Sequence, residues 1–207
     1  MSIDWKCIYA ELKGWQSGLG ALLGFGAIIV GALFNAHLNR KRDTRLRLDE
    51  AIAVASALYG EIIILRKAVA QLANAVAHRY VENGMGRLRE EPFDRHFIEQ
   101  FALPPLTLYS SLAAKVGLLP NQIALGIVRF YARVEEVRIW LPRLQTNGDR
   151  PFTYGVNYVL NPAIDAVTGV ASTLELIKDF AQIAEPVDTP KIKDAVEAQD
   201  IEKMQYE

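Results

Sequence analysis

Few residues in this chain have types and spacing that could support chemistry. Its three histidines are His37, His78 and His96, and its single cysteine is Cys7. His96 has the best company for a metal, with Glu91, Asp94 and Glu99 close in sequence. On a helix, His96 and Glu99 share a face, because residues three apart are neighbours there. A carboxylate–histidine pair of this kind normally needs a matching pair on a second helix to build a di-metal site. No such partner is visible, so a solvated charged turn is the expectation and no metal ligand is assigned. His37 falls at the edge of an apolar run and reads as interfacial. His78 falls late in a helix, where a cation suits the negative end of the helix dipole.

The remaining candidates are weaker. Cys7 has no adjacent group to lower its thiol pKa and reads as a small hydrophobe at a membrane edge. It cannot form an internal disulfide, so it reveals no redox compartment. Ser110 and Ser111 lack a nucleophile-elbow motif, and helical serines usually bond to local carbonyls. Gly18, Gly20, Gly24 and Gly26 do not match the dinucleotide-binding spacing, and no Gly-Lys-Ser/Thr follows them. Glu135 and Glu136 are adjacent, so on a helix they diverge by about 100° and cannot act as an acid/base pair. No catalytic, cofactor or metal site is therefore expected, and the chain does not read as an enzyme.

The chain has 207 residues, 51% hydrophobic and 23% charged, with a formal net charge of -1. That balance excludes a disordered chain, a collagen-like repeat and a disulfide scaffold. It also excludes a broadly basic nucleic-acid binder, so no nucleic-acid partner is expected. The length fits one domain, or a smaller domain with a membrane anchor.

The anchor is legible between Gly14 and Leu38, which hold no Asp, Glu, Lys or Arg. As a helix this segment is roughly 37 Å long, against about 30 Å of hydrocarbon. Mean hydropathy over Gly18–Ala36 is about 1.9, above the usual spanning threshold of about 1.6. Trp5, Tyr9 and Trp15 flank it on the N-terminal side, where amphipathic rings favour the headgroup layer. A cleaved signal peptide is an alternative, since Val30-Gly31-Ala32 resembles a small-residue cleavage site. A long buried helix of a soluble protein is another. Lys6 and Lys13 are balanced by Asp4 and Glu11, and a basic cluster follows the run as after a stop-transfer segment. The uncleaved span is accordingly the favoured reading.

That cluster is Arg40, Lys41, Arg42, Arg45 and Arg47, interrupted by Asp43. The positive-inside rule places the side that carries it in the cytoplasm, with the N-terminus outside. These five residues are expected at the membrane surface, where each attracts anionic lipid by about 1 kcal/mol. Within the span, Ser17, Gly20, Gly24, Ala27 and Gly31 recur at alternating steps of three and four. They form one stripe of small residues that would let a second helix approach closely, so homo-oligomerisation through the span is expected. Asn35, near the inner end, could add an interhelical hydrogen bond.

The rest reads as helical. From Thr44 to Val81, Leu48, Ala51, Ala55, Leu58, Ile62, Leu65, Val69, Leu72 and Val76 alternate by three and four, an apolar seam over four heptads. Ile52, Tyr59, Ile63 and Ala73 widen it, which suits a bundle better than a two-stranded coiled coil. Asn83-Gly84 and Gly86 end this helix. Pro92, Pro104, Pro105 and Pro120 limit the next stretch to short helices near Asp94–Ala102 and Leu106–Val116. Asn121 reads as the N-cap of a long helix with Ile123, Ile127, Phe130, Val134, Val137, Leu141 and Leu144 on its inner face. Pro142 kinks or ends it, and Thr146-Asn147-Gly148-Asp149 is a turn. A last helix runs from Val156 or Pro162 to Ala184, with Asn161-Pro162 as cap and first turn. Its inner face is Ile164, Val167, Ala171 and Leu174, and Glu185-Pro186 stops it. No segment alternates as a strand does.

The expected fold is all-α: a single N-terminal transmembrane helix followed by a bundle of three long and two short helices. Its segments are 1–13 (interfacial), 14–38 (transmembrane), 39–47 (basic juxtamembrane strip), 48–185 (helical bundle) and 186–207 (flexible acidic tail).

Several of these motifs carry a resemblance. Gly14-Trp15-Gln16, Leu33-Phe34-Asn35-Ala36, Arg40-Lys41-Arg42-Asp43 and Leu58-Tyr59-Gly60-Glu61 are joined by Lys115-Val116-Gly117-Leu118-Leu119-Pro120 and Val128-Arg129-Phe130-Tyr131. Over residues 14–145 the chain resembles a recurrent type of uncharacterised bacterial single-span membrane protein with a cytoplasmic helical domain. The resemblance implies the bacterial inner membrane and transfers no catalytic residue. On the residues alone, the functional expectation is a membrane-tethered helical interaction or scaffold module, with lipid and an unidentified protein as partners. The alternative is a pore-forming or membrane-perturbing small protein of phage or toxin type. A sensor with a ligand pocket between its helices is a third reading.

Overall fold

The computed structural model describes residues 5–84, 93–145 and 153–204. Gly86, Glu91, Pro92 and the turn expected at Thr146–Asp149 lie outside them, as do the side chains of Cys7 and Ser17. Every regular element among the described residues is a helix. Helix α1 runs Trp5–Gly84, and the chain divides into two compact units, residues 1–49 and 50–207.

Among the described side chains of the first unit none is buried. From Leu22 to Leu38 its large apolar side chains are exposed all round the helix. The second unit is built on residues 50–84 of α1, where Ala51, Ala55, Leu58, Ile62, Leu65, Val69, Leu72 and Val76 are all buried as the seam requires. Leu48, expected as the seam's first residue, is instead 50% exposed and lies in the first unit. Val54, Tyr59, Ala70, Ala73, Ala77 and Tyr80 are buried as well, so the face is wider than one stripe. A helix buried over more than half its circumference has neighbours on several sides.

Short helix α2 (Arg95–Gln100) starts where Asp94 Oδ1 accepts the Phe97 amide at 2.8 Å. Phe93, Phe97 and Phe101, four residues apart, pack ring against ring at 5.2 and 4.8 Å. Helix α3 (Thr107–Leu112) passes into a 3₁₀ segment, Ala113–Leu118.

Helix α4 (Asn121–Trp140) buries the predicted Ile123, Ile127, Phe130, Val134 and Val137, and Tyr131 beside them. Its cap differs from expectation: Pro120 occupies the N-cap position, Asn121 is already helical, and no side chain caps the turn. Pro120 has the fixed φ that suits a helix entry. Pro142 ends α4 as predicted, in a 3₁₀ turn over Leu141–Leu144 that buries both leucines. Gly126 marks a close approach of α4 to the chain near Thr173, since a Cβ there would collide with the Thr173 side chain.

The C-terminal third departs most from the sequence reading. The single expected helix is two: α5 (Thr153–Gly169) and α6 (Ala171–Ala181), separated at Val170. Pro162 lies inside α5, not in its first turn. A helix-interior proline costs about 3 kcal/mol. Burial of Val156, Val159, Leu160, Ala163, Ala166 and Val167 on the same helix offsets it. The break has a partner: Arg66 Nε donates at 2.8 Å to the Val167 carbonyl, which an unbroken helix would pair with Ala171. Helix α6 stops at Ala181, three residues before the expected end, with Gln182 in the left-handed region (φ 55°) and the Ile183 amide on the Lys178 carbonyl. The segment expected as a flexible acidic tail forms helix α7 (Lys193–Met204), with Ala195 and Ala198 buried.

Candidate functional site

In the first unit, the segment that carries the apolar run is exposed on every side. Its most apolar 18-residue window has mean hydropathy 2.0 and is 0% buried, so one helix near the N-terminus is long and apolar enough to cross a membrane. Leu22, Leu23 and Ile28 are 70%, 74% and 71% exposed. A helix that is apolar all round belongs in a core or a bilayer, because no face of it is suited to water. Around Gly20, Gly24 and Gly31 nothing stands within 4 Å of where a Cβ would be, and Ala27 is exposed. Arg40, Lys41, Arg42, Arg45 and Arg47 are all exposed in the same helix, and Thr44 Oγ1 bonds back to the Arg40 carbonyl at 2.8 Å.

In the second unit, the histidines and paired acids do not converge. His96 is exposed, and its neighbour Glu99 accepts from Arg95 Nε at 2.7 Å. His78 is exposed and lies 3.3 Å from Glu82. Among the described residues no three metal-ligating side chains cluster. Ser110 and Ser111 bond to the Leu106 and Leu108 carbonyls. Glu136 pairs with Arg133 at 2.7 Å and Glu135 stands 3.9 Å from Arg138, so the two acids face different cations.

What pattern reading passed over is two buried charged residues of α1, each with partners of its own. Glu61 is 8% exposed and accepts three hydrogen bonds: from the Leu108 amide at 2.8 Å, the Tyr109 amide at 2.9 Å and the Tyr131 hydroxyl at 2.6 Å. Its carboxylate thus caps α3, which has no side-chain cap of its own, and places a negative charge at the helix's positive end. The Tyr109 ring stacks on Tyr131 at 3.8 Å. Burial pushes the Tyr131 hydroxyl well above the usual tyrosine range, and its bond to the Glu61 carboxylate pushes it further. Arg66, 1% exposed, holds the Val167 carbonyl and, through Nη1 at 2.8 Å, the Asp188 carbonyl. Burial lowers its pKa, and the Asp188 charge works in the opposite direction.

One signal for this pair was available. Glu61 and Arg66 stand three residues after Leu58 and four after Ile62, so both fall on the buried face. A charge at such a position is buried with partners or not at all.

An open groove of about 670 Å³ lies along α4, α5 and α6, with Arg129, Arg133, Asp165 and Ser172 on its walls. Arg133 there bridges Glu136 and Asp165, the latter at 3.5 Å. The arrangement is a solvated ion-pair surface and holds no nucleophile–base pair. No protein-family model, curated protein or solved structure matches the chain.

Proposed function

We propose that the protein is a membrane-tethered helical interaction module: residues 14–38 span the bilayer once and residues 50–204 form an adaptor that meets partners at its surface. The observation that carries this reading is the exposure of large apolar side chains on every side of the Leu22–Leu38 segment. In water that surface would be unfavourable by about 25 cal/mol per Å², and a bilayer removes the cost. The charge asymmetry about the span supports an outside N-terminus and a cytoplasmic helical unit. Arg40, Lys41, Arg42, Arg45 and Arg47 then lie at the inner headgroup layer, where anionic lipid is the partner. The stripe of Ser17, Gly20, Gly24, Ala27 and Gly31 supports self-association of the span.

The proposed role is binding, not catalysis, because the buried polar groups serve structural ends. The bacterial inner membrane is proposed as its place on the motif resemblance alone. The test is topological. A reporter active only in the cytoplasm, fused after Glu207, should work in membrane-bound material that resists alkaline extraction. Activity of a periplasm-only reporter at that position would overturn the orientation, and release by alkali would overturn the span.

A further inference from the structure

The break between α5 and α6 leaves polar groups that the chain itself does not use. The Leu174 amide is the first to join the α6 ladder, at 2.9 Å from the Val170 carbonyl. The amides of Ala171, Ser172 and Thr173 precede it, and such leading donors have no partner within their own helix. No side chain caps this turn, and no acidic residue lies in it. The carbonyl end of α5 would ordinarily present a negative charge here. Arg66 offsets it, because its buried guanidinium donates to the Val167 carbonyl at 2.8 Å.

Two hydroxyls stand in the same turn. Elsewhere Thr44, Ser56, Ser110, Ser111 and Thr168 bond back to a carbonyl three or four residues earlier. The hydroxyls of Ser172 and Thr173 have no partner among the described residues. Thr173 is 5% exposed, and an unbonded hydroxyl so deeply placed is costly. It is not sealed, however. Among the described residues, the unbonded side-chain atoms shut off from solvent are Arg138 Nε and Asn157 Oδ1, and Thr173 lines the groove along α4, α5 and α6. Gly126 makes room for it, since a Cβ there would collide with the Thr173 hydroxyl. From α4, the exposed Arg129 lines the same groove and has no ion pair among the described residues. The acid on the wall, Asp165, is offset by Arg133 at 3.5 Å. Leu125 and Leu176, 58% and 39% exposed, add apolar stretches to the walls.

We propose that the start of α6 binds a phosphate group: the amides of Ala171, Ser172 and Thr173 and the hydroxyls of Ser172 and Thr173 hold its oxygens, and Arg129 supplies the opposing charge. A helix start with free amides suits such an anion, and a guanidinium matches its geometry. A carboxylate offers two oxygens to these donors, whereas a phosphate monoester offers three. The groove, about 670 Å³, has room for an organic part as well. The source of the phosphate is thus the free anion or a phosphomonoester. Every residue of the site belongs to the unit 50–207, so this inference does not rest on the membrane reading.

The test is calorimetric titration of the full chain in detergent micelles at fixed ionic strength, with inorganic phosphate and with butyl phosphate. Saturable binding is expected. Inorganic phosphate binding at least as tightly as butyl phosphate would support the site with the free anion as its ligand. Tighter binding of butyl phosphate would support it with a monoester whose chain rests on Leu125 and Leu176. Arg129→Gln, at an exposed position, should weaken binding at least about tenfold. Thr173→Val keeps the shape of the side chain and removes an unbonded hydroxyl. It should weaken binding roughly fivefold without lowering the melting temperature. Arg95→Gln removes the same charge from α2 and should change nothing. No saturation by either ligand at about 10 mM would overturn the proposal. So would an Arg129→Gln or Thr173→Val variant that binds as the parent does.

Discussion

From Leu22 to Leu38 the side chains of α1 are apolar on every side and exposed on every side. From Ala51 to Tyr80 they are apolar on a wide face, and that face is buried, while Ser56, Lys67 and Gln71 remain outside. The backbone geometry of the two stretches is the same. The difference lies in what each is solvated by: the second stretch by its own chain, the first by nothing the chain supplies. The glycines differ less sharply. Gly126, in α4, is required by a neighbour that leaves no room for a Cβ, whereas Gly20, Gly24 and Gly31 face open space. Gly60, Gly117 and Gly169 of the helical unit face open space as well, so an empty Cβ position does not by itself call for a contact, and the stripe's register is what suggests one.

The largest expected effect lies in the buried stretch. Leu65 is 1% exposed and Ile64, its neighbour, is 63% exposed. Leu65→Asp places a charge in the core and should cost at least about 4 kcal/mol, a large part of a typical total stability. Ile64→Asp should stay within about 0.5 kcal/mol. Thermal melts of the full chain in micelles, followed by circular dichroism, should separate the two. Equal melting temperatures would mean that the buried face is misassigned.

Next comes the exposed stretch. Ile28→Asp puts a carboxylate near the centre of the proposed span, at about 3 kcal/mol against insertion. The protein should shift towards the soluble and aggregated fractions, while the cooperative melt of the helical unit is retained. Unchanged membrane retention would contradict a bilayer as the solvent of residues 14–38.

A smaller effect concerns the buried polar pair. Tyr131→Phe removes one bond to Glu61 and should cost about 1–2 kcal/mol at neutral pH. The native Tyr131 hydroxyl titrates above its ordinary value of 10.0, because burial and the adjacent carboxylate favour its proton. Its contribution is therefore complete below about pH 10 and declines as pH rises above that value, since the unfolded chain releases the proton first. The parent should lose stability between pH 10 and 11 more steeply than the phenylalanine variant. Tyr59, whose pKa burial also raises, would sustain a residual slope in both. Parallel pH profiles would exclude the Tyr131–Glu61 bond as the alkaline-sensitive contact.

The parts of the fold legible in the sequence share one property: their evidence is local. The three-and-four alternation identified eight buried positions on α1 and seven from Ile123 to Leu144 because helical periodicity is set within a few residues. Glu61 and Arg66 escaped because what buries them lies 47 to 122 residues away, at Leu108, Tyr131, Val167 and Asp188. Pro162 was placed at a helix start by a sound local rule that tertiary packing overrode. Helix α7 was missed because its buried face consists of two alanines, which add little to an apolar count. The five basic residues and the small-residue stripe were legible as patterns. The roles proposed for them depend on a bilayer and a second helix, neither of which a sequence pattern contains.

The smallest effect tests that second helix. Gly24 sits at the middle of the stripe from Ser17 to Gly31, and a Cβ added there meets nothing within 4 Å in one copy. Gly24→Ile is therefore sterically free in the isolated chain, so any consequence must come from outside it. Close helix approach in a membrane depends on dispersion between backbones, because lipid tails already satisfy the apolar surface. An isoleucine side chain at the contact would push the two helices apart and should weaken association by on the order of 1 kcal/mol, roughly fivefold in dimer constant. Leu23→Ile adds no volume and lies off the stripe, so it should leave association unchanged. A membrane two-hybrid assay or crosslinking of the full chain should resolve the pair. Equal signals from both variants and the parent would move any self-contact out of the span and into the helical unit.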